Sequence, residues 1–356
     1  MPPTIHPDCL PLLIGSLPMN DHPAASRLIM EFTPSIPLWV QLPVFAQEGM
    51  VAQFMPGMPA VVERGGKRFI DAAGESFDSD LLAFFEDYMA VSEDLDRLPG
   101  SRFTLTETTG RGFAALLDTL TRIETPPVAV KGQVTGPVTF CIGVKDQDGR
   151  SIFYNDTLRD AAVKHLALNA RWQIRTLSGR GCPVIVFIDE PALAGFGSSE
   201  LISISKATIL ACLQELVDAI HAEGGLAGIH VCANTDWSLV LEAGADIVNF
   251  DAYSFFDRFI LYGSQIKDFL AAGCLLAWGI VPTLKTEEIM QETVDSLYAG
   301  IQARFRRIED LGIGPATLRA QSFITPSCGL GSLSLDLAKR VLALTRDLSA
   351  RIREGL

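Results

Sequence analysis

The chain has 356 residues, and its 42 acidic and 29 basic side chains give a formal net charge of −13 at pH 7. This acidic balance argues against nucleic acid or an anionic membrane surface as a partner. No apolar run reaches the roughly 18 residues of a membrane span, and the N-terminus lacks a signal-peptide pattern, so we expect a cytoplasmic protein. Its 7 scattered cysteines are typical of thiols, not of a disulfide framework.

Eight short apolar runs alternate with helical patterns along the chain, which predicts parallel strands and a (β/α)8 TIM barrel. A single domain of 1–356 is the simplest organisation for a barrel of this length. The predicted strands are LLIGSL (12–17), PLWVQL (37–42), VAVKGQV (128–134), VIVFID (184–189), LAGIHV (226–231), DIVNFD (246–251), LLAWGI (275–280) and SFITPS (322–327).

An extended insertion separates the second and third predicted strands and is too long for an ordinary connection. Within it, VVERGGKRFID predicts a hairpin that turns at Gly65 and Gly66. Helical patterns follow near 79–96 and 107–122. We therefore expect the insertion to have secondary structure of its own.

Polar residues cluster where the predicted strands end, and in a barrel such ends meet at one mouth. The carboxylates of the Asp-Glu-Pro motif there either bind a ligand or only cap a helix. The set comprises Gly15, Ser16, Gln41, Thr135, Asp189, Glu190, His230, Cys232, Asp251 and Cys328.

A candidate metal site combines His230, Cys232 and the distant Cys328. Alternate residues of a strand share one face, so His230 and Cys232 point the same way. A His-x-Cys pair also arises from ordinary strand alternation, but the third sulfur at another strand end favours a metal. Three N/S ligands with a fourth position left open describe a catalytic zinc site.

Five motifs, VKGQVTGPVTF, FIDEPALAGFG, IHVC, ADIVNFD and PSCGLG, together resemble the C-terminal catalytic barrel of cobalamin-independent methionine synthase. The resemblance implies that His230, Cys232 and Cys328 bind zinc. Asp251 stands where the family has a glutamate ligand, so it is either a weak fourth ligand or a group that orients the site. Asp189 and Ser16 fall where the family binds its amino acid substrate. We expect Asp189 and Glu190 to be catalytic residues that form one polar wall of the substrate pocket, with Ser16 and Gln41 opposite. Gly15 is also expected to contact the substrate.

Three departures from the family bear on the methyl donor and on the identity of the thiol acceptor. Gly143 stands where the family has a tryptophan that stacks on folate, the loop of 275–286 lacks the family's histidine, and Val44 replaces a glutamate that binds homocysteine. A methyl group on cobalt leaves without proton assistance, unlike one on folate. The short form is also similar to corrinoid-dependent thiol methyltransferases of the uroporphyrinogen decarboxylase superfamily.

The resemblance therefore predicts a zinc-dependent methyltransferase that moves a methyl group from a methylcorrinoid such as methylcobalamin, held by a corrinoid protein, to a small thiol such as homocysteine. Three alternatives stay open at this point. They are a folate-dependent methionine synthase with an altered pocket, a metal-free decarboxylase of the uroporphyrinogen type, and a non-catalytic module that binds a corrinoid or a metal.

Overall fold

The computed structural model describes residues 5–196 and 204–354. Its sheets are a six-stranded parallel sheet of half-barrel form and a separate antiparallel hairpin. The strands are β1 (Val61–Arg64), β2 (Lys67–Ile70), β3 (Val130–Thr135), β4 (Val184–Asp189), β5 (Leu226–Val231), β6 (Ile247–Phe250), β7 (Leu275–Val281) and β8 (Ser322–Pro326). The α-helices are α1 (His22–Phe32), α2 (Phe77–Glu93), α3 (Arg111–Arg122), α4 (Pro137–Gly143), α5 (Asp156–Leu177), α6 (Lys206–Ala222), α7 (Trp237–Leu241), α8 (Phe256–Phe259), α9 (Gly263–Ala271), α10 (Thr286–Gln291), α11 (Val294–Glu309), α12 (Pro315–Ala320) and α13 (Leu335–Arg353).

The parallel sheet runs in chain order from β3 to β8, and every residue of these six strands is buried. Strands buried on both faces read as continuous apolar runs, which is why they stand out in the sequence. In register, Asp189 on β4 pairs with His230 on β5, and His230 pairs with Asn249 on β6. The strand ends that carry polar residues are therefore adjacent.

The predicted closed eight-stranded barrel is wrong. Among the residues described, the parallel sheet has six strands, and the first two predicted strands, 12–17 and 37–42, are not among them. These segments make only isolated parallel bridges, which join Pro11 to Ile324, Ser16 to Gln41, and Leu38 to Lys131. The fold class is therefore α/β with a half-barrel sheet, not a complete barrel.

The backbone of these two segments is satisfied partly by isolated backbone bonds, such as that from Gln41 N to the Gly15 carbonyl at 3.0 Å, and partly by side chains. The Ile14 carbonyl accepts a hydrogen bond from Lys131 Nζ, and the Trp39 carbonyl accepts one from Gln133 Nε2 at 2.9 Å. Pro37 and Pro43 also flank the second segment, and proline supplies no N–H to a ladder. An apolar run therefore marks burial here without marking a regular strand.

The remaining six predicted strands are confirmed to within two residues at either end. So is the insertion, whose hairpin pairs Val61 with Ile70 and turns through Gly65 and Gly66. Both glycines have positive φ, 59° and 73°, a conformation that side chains with a Cβ rarely adopt. The two predicted helices of the insertion are α2 and α3.

Two groups of buried apolar side chains form the core. A large cluster surrounds the sheet and the helices packed on it, and a small one includes Ile185, Phe187 and Phe323. Within the described ranges, no helix has both the length and the apolar character needed to cross a bilayer.

Candidate metal centre

A cavity of about 450 Å³ opens at the carboxyl ends of the strands. This is the edge of a parallel α/β sheet where ligands commonly bind. Its walls are Ile14, Ser16, Gln41, Pro43, Glu48, Met50, Asp189, Pro191, His230, Cys232, Cys328, Gly329, Gly331 and Ser332. The only carboxylic acids among these are Glu48 and Asp189, and no lysine or arginine of the described residues lines the cavity.

His230, Cys232 and Cys328 are brought together in one wall of the cavity. One nitrogen of His230 and the two sulfurs all lie within 4.8 Å of one another. His230 is the fifth residue of β5, Cys232 follows the strand, and Cys328 lies two residues beyond β8. Strand alternation gives His230 and Cys232 a common face, and the curvature of the sheet brings Cys328 to them.

Hydrogen bonds connect the two sulfurs and the imidazole in this cluster. Hydrogen bonds from Cys328 and then from His230 stabilise the Cys232 thiolate and lower the pKa of Cys232. The thiol of Cys328 donates to Cys232, and this bond together with burial raises the pKa of Cys328. Burial alone would lower the pKa of His230, but the bond to Cys232 and the charge of Asp189 raise it. The cluster is thus already arranged to stabilise negative charge on sulfur.

The donor set fits zinc. Imidazole nitrogen and cysteine sulfur are its usual ligands, and bond lengths of about 2.0 to 2.3 Å place tetrahedral ligand atoms roughly 3.5 to 3.8 Å apart. Ligand atoms already within 4.8 Å need only a small contraction to reach that geometry. Three protein ligands also leave one position for a substrate atom.

Asp251 is not one of the three members of this group, although it interacts electrostatically with Cys232. Its Oδ1 accepts a hydrogen bond from Ser254 N at 2.8 Å, while its buried Oδ2 has no hydrogen-bond partner in the described part of the chain. Burial raises the pKa of Asp251, and the charge of Cys232 adds to the effect. Its role as a fourth ligand stays a prediction.

Asp189 and Glu190 are neighbours with different surroundings. Asp189 lines the cavity, and its buried Oδ1 has no hydrogen-bond partner among the residues with described positions. Burial raises the pKa of Asp189, against the opposing charges of His230 and Lys131. An unpartnered buried carboxylate oxygen is costly unless a ligand supplies a donor.

Glu190, by contrast, does not reach the cavity. Its carboxylate accepts from Val138 N at 2.9 Å, Thr139 N at 2.9 Å and Thr139 Oγ1 at 2.6 Å. These donors belong to the first turn of α4, whose free N–H groups attract an anion. Burial raises the pKa of Glu190 to about 7 against these bonds. The structure gives Glu190 the alternative role considered for it, that of a helix cap.

The predicted residues of the opposite wall are held by hydrogen bonds. Ser16 Oγ accepts from Gly331 N at 3.1 Å, and Gln41 Nε2 donates to Gln53 Oε1 at 2.6 Å. Ser16 and Gln41 line the cavity, whereas Gly15 lies behind them against Gln133. The amide of Gln41 is therefore oriented with Oε1 as its free acceptor.

Glu48 is a cavity residue that sequence reasoning missed. It lies in the short 3-10 helix Ala46–Glu48, where one carboxylate oxygen binds His22 Nε2 at 2.7 Å and the other accepts from Leu42 N at 2.9 Å. No motif or periodicity marks this position. The one signal is the pairing of the buried Glu48 with His22, 26 residues away in the sequence, and this pairing is visible only in the structure.

Lys131 is a second missed residue, because it lies within an apolar strand pattern. It is fully buried in β3, donates to the Ile14 carbonyl and lies 4.5 Å from the centre of the Phe187 ring. Burial lowers the pKa of Lys131 to about 8, although the charge of Asp189 favours its ammonium form. Its charge opposes the rise in the pKa of Asp189, with a smaller effect than that of His230.

The region around Gly143 is closed to a large side chain. A Cβ added at Gly143 would lie 2.6 Å from Val51 Cγ2. Of the aromatic residues that could replace a stacking tryptophan, Phe140 and Trp278 are fully buried, and only Tyr154 is exposed. Tyr154 lines a separate cleft that shares Pro191 with the main cavity.

Comparisons of the chain with protein-family models and with curated proteins find no match. The site therefore has to be interpreted from its own geometry and from the motifs described above.

Proposed function

We propose that this protein is a zinc-dependent methyltransferase whose acceptor is a small thiol. One observation carries the proposal, namely the convergence of His230, Cys232 and Cys328 within 4.8 Å on the wall of a cavity. A closed structural zinc site uses four protein ligands, whereas a catalytic site keeps one position for substrate. The kinship with cobalamin-independent methionine synthase is part of the same proposal and rests on the five motifs.

Zinc, when bound, holds a thiol as the thiolate at neutral pH, which is the nucleophilic form. The two cysteines and His230 hold the metal at the cavity wall, and the cavity beside them accommodates the rest of the thiol. Methyl transfer then forms one S–CH3 bond and breaks the bond between the methyl group and the donor. With a methylcorrinoid, the electron pair of the broken bond stays on cobalt as Co(I), and no proton has to be delivered.

The polar groups of the cavity favour a thiol that also carries an ammonium group. Asp189 Oδ1 has no partner in the described chain, and Gln41 presents Oε1 because its Nε2 is bonded to Gln53. Both are acceptors, so the ligand should supply donors. An aminothiol such as homocysteine meets this requirement, and a thiol without nitrogen does not.

The same walls disfavour a decarboxylase that takes a polycarboxylate. Such a substrate calls for arginine or lysine, whereas the described residues that line the cavity include two carboxylic acids and neither of these cations. For the methyl donor, the space around Gly143 supports a corrinoid in place of folate, because Val51 fills the place that a stacking ring at this position would need. Tyr154 is the aromatic residue to remove if folate is nevertheless used.

The test loads the purified chain with zinc and supplies methylcobalamin or methyltetrahydrofolate to homocysteine. In parallel it uses 4-mercaptobutyrate, which keeps the thiol and carboxylate but lacks the amine. We expect zinc-dependent S-methylation of homocysteine from methylcobalamin and weak use of the deaminated thiol. Turnover of methyltetrahydrofolate without a corrinoid would contradict the assignment of a methylcorrinoid as the methyl donor. Methyl transfer that survives removal of zinc would overturn the whole proposal.

A further inference from the structure

We infer that Asn249 is a positioning residue that commits His230 to binding metal through Nε2, and that it ties the two halves of the metal centre together. The inference rests on the metal site of the proposed function, although it concerns a residue outside the ligand set. Asn249 lies in the middle of β6, is fully buried and does not line the cavity.

The amide of Asn249 has one possible orientation. Its Nδ2 donates to the Ala277 carbonyl at 2.8 Å and to Thr325 Oγ1 at 2.9 Å. A carbonyl oxygen accepts and never donates, so the NH2 group must face Ala277. The carbonyl oxygen Oδ1 is then the atom that faces Nδ1 of His230, with which it forms a hydrogen bond.

This orientation decides the state of the imidazole. An amide oxygen can only accept, so Nδ1 of His230 must carry a hydrogen and donate it. A neutral imidazole with hydrogen on Nδ1 has its lone pair on Nε2, and that lone pair is what a metal binds. With Nδ1 bonded to Asn249, Nε2 is the nitrogen that is left for the group formed with Cys232 and Cys328.

Asn249 also connects the strands that carry the ligands. It is in register with His230 on β5 and with Ala277 on β7, and its bond to Thr325 reaches β8. Thr325 is three residues before Cys328, the ligand that comes from the far end of the chain. One buried amide thus fixes the ring of His230 relative to the strand that delivers the third ligand. Partners of this kind typically change metal affinity by about 10- to 100-fold when they are removed.

The test compares Asn249→Leu, which removes the acceptor for Nδ1, with Thr325→Val, which removes one acceptor of the Asn249 amide and leaves the bond to His230. Zinc affinity is measured by competition with a chromophoric chelator, and apo-protein melting temperatures show whether each variant folds. We expect Asn249→Leu, which removes both the acceptor for Nδ1 and the link to β8, to weaken zinc binding by about 10- to 100-fold. Thr325→Val removes only the link to β8, so it should weaken zinc binding measurably but by a smaller factor. Equal affinities for Asn249→Leu and the parent, or equal losses in the two variants, would overturn the inference.

A second measurement determines the tautomer in the parent protein and uses a variant only to assign the signal. The zinc-loaded parent, labelled with 15N-histidine, should show one ring metallated at Nε2 with hydrogen on Nδ1, and that ring should be missing in His230→Gln. The chain has only 5 histidines, which makes the comparison tractable. Metal on Nδ1 of His230 would overturn the inference with the proposed function intact, whereas a parent that binds no zinc would remove the proposed function itself.

Discussion

The two walls of the cavity are built in different ways. The ladder wall, consisting of Asp189, His230, Cys232 and Cys328, stands at the ends of regular parallel strands. The N-terminal wall consists of Ser16, Gln41 and Glu48. Ser16 and Gln41 meet in an isolated bridge, Glu48 lies in a 3-10 helix, and side-chain hydrogen bonds hold all three. The ladder wall therefore holds the metal ligands in fixed positions. The N-terminal wall shapes the cavity and presents hydrogen-bond acceptors to a substrate. Changes in the two walls should have separable effects.

The largest effect is expected from the sulfurs of the ladder wall. Cys232→Ser and Cys328→Ser each remove a ligand, so zinc affinity should fall by more than the roughly 100-fold seen when only a supporting partner is lost. Elemental analysis after dialysis against a chelator measures the loss. Cys274→Ser is the matched control, because Cys274 is also partly buried but precedes β7 at the opposite edge of the sheet. Full zinc content in both ligand variants would rule out this site.

Acid should weaken the same wall in the parent protein. The pKa of Cys328 is raised by its bond to Cys232, and the pKa of His230 is raised by Cys232 and Asp189, so both groups hold protons that zinc must displace. Zinc affinity should therefore fall as the pH decreases from about 8 to about 6. A chelator competition series over this range tests the direction, and an affinity independent of pH would contradict it.

Asp189 should affect substrate binding more than zinc binding. In Asp189→Asn the charged partner of the substrate ammonium is lost, a contact worth about 1.5 to 3 kcal/mol, so KM for homocysteine should rise about 10- to 100-fold. KM for 4-mercaptobutyrate should hardly change, since it has no ammonium group. A parallel rise for both thiols would show that Asp189 does not bind the amine.

Glu190→Gln is the matched control for Asp189→Asn. The carboxylate of Glu190 now accepts hydrogen bonds from donors of α4 with both of its oxygens. In the variant an NH2 group replaces one of these oxygens and cannot accept, so the free energy of unfolding should fall by about 1 to 3 kcal/mol. KM should stay near the parent value. Thermal melts and steady-state kinetics on the same samples separate the two roles.

The smallest effect on zinc is expected from the N-terminal wall. Glu48→Gln weakens the hydrogen bonds that the side chain makes with His22 Nε2 and with Leu42 N. We therefore expect the free energy of unfolding to fall by about 1 to 2 kcal/mol. Zinc content should equal that of the parent, because none of the three ligands touches Glu48. Loss of zinc in this variant would mean that the two walls are coupled.

The sequence predicts the ladder wall well because local rules govern it. The alternation of His230 and Cys232 in a buried strand, and the apolar runs around them, require no knowledge of distant contacts. The same reasoning predicts the N-terminal segments as strands, and this is wrong because they make only isolated bridges, with Lys131 and Gln133 side chains bonded to the Ile14 and Trp39 carbonyls. Glu48 and Asn249 act through residues far along the chain, so no local pattern distinguishes them from ordinary loop and strand positions.

The central claim is that the substrate sulfur binds a zinc held by His230, Cys232 and Cys328, and zinc X-ray absorption tests it most directly. The zinc-loaded protein should show two sulfur ligands from the cysteines, and a third should appear when homocysteine is added. No increase in sulfur coordination with saturating thiol, or a zinc environment without cysteine sulfur, would contradict the account.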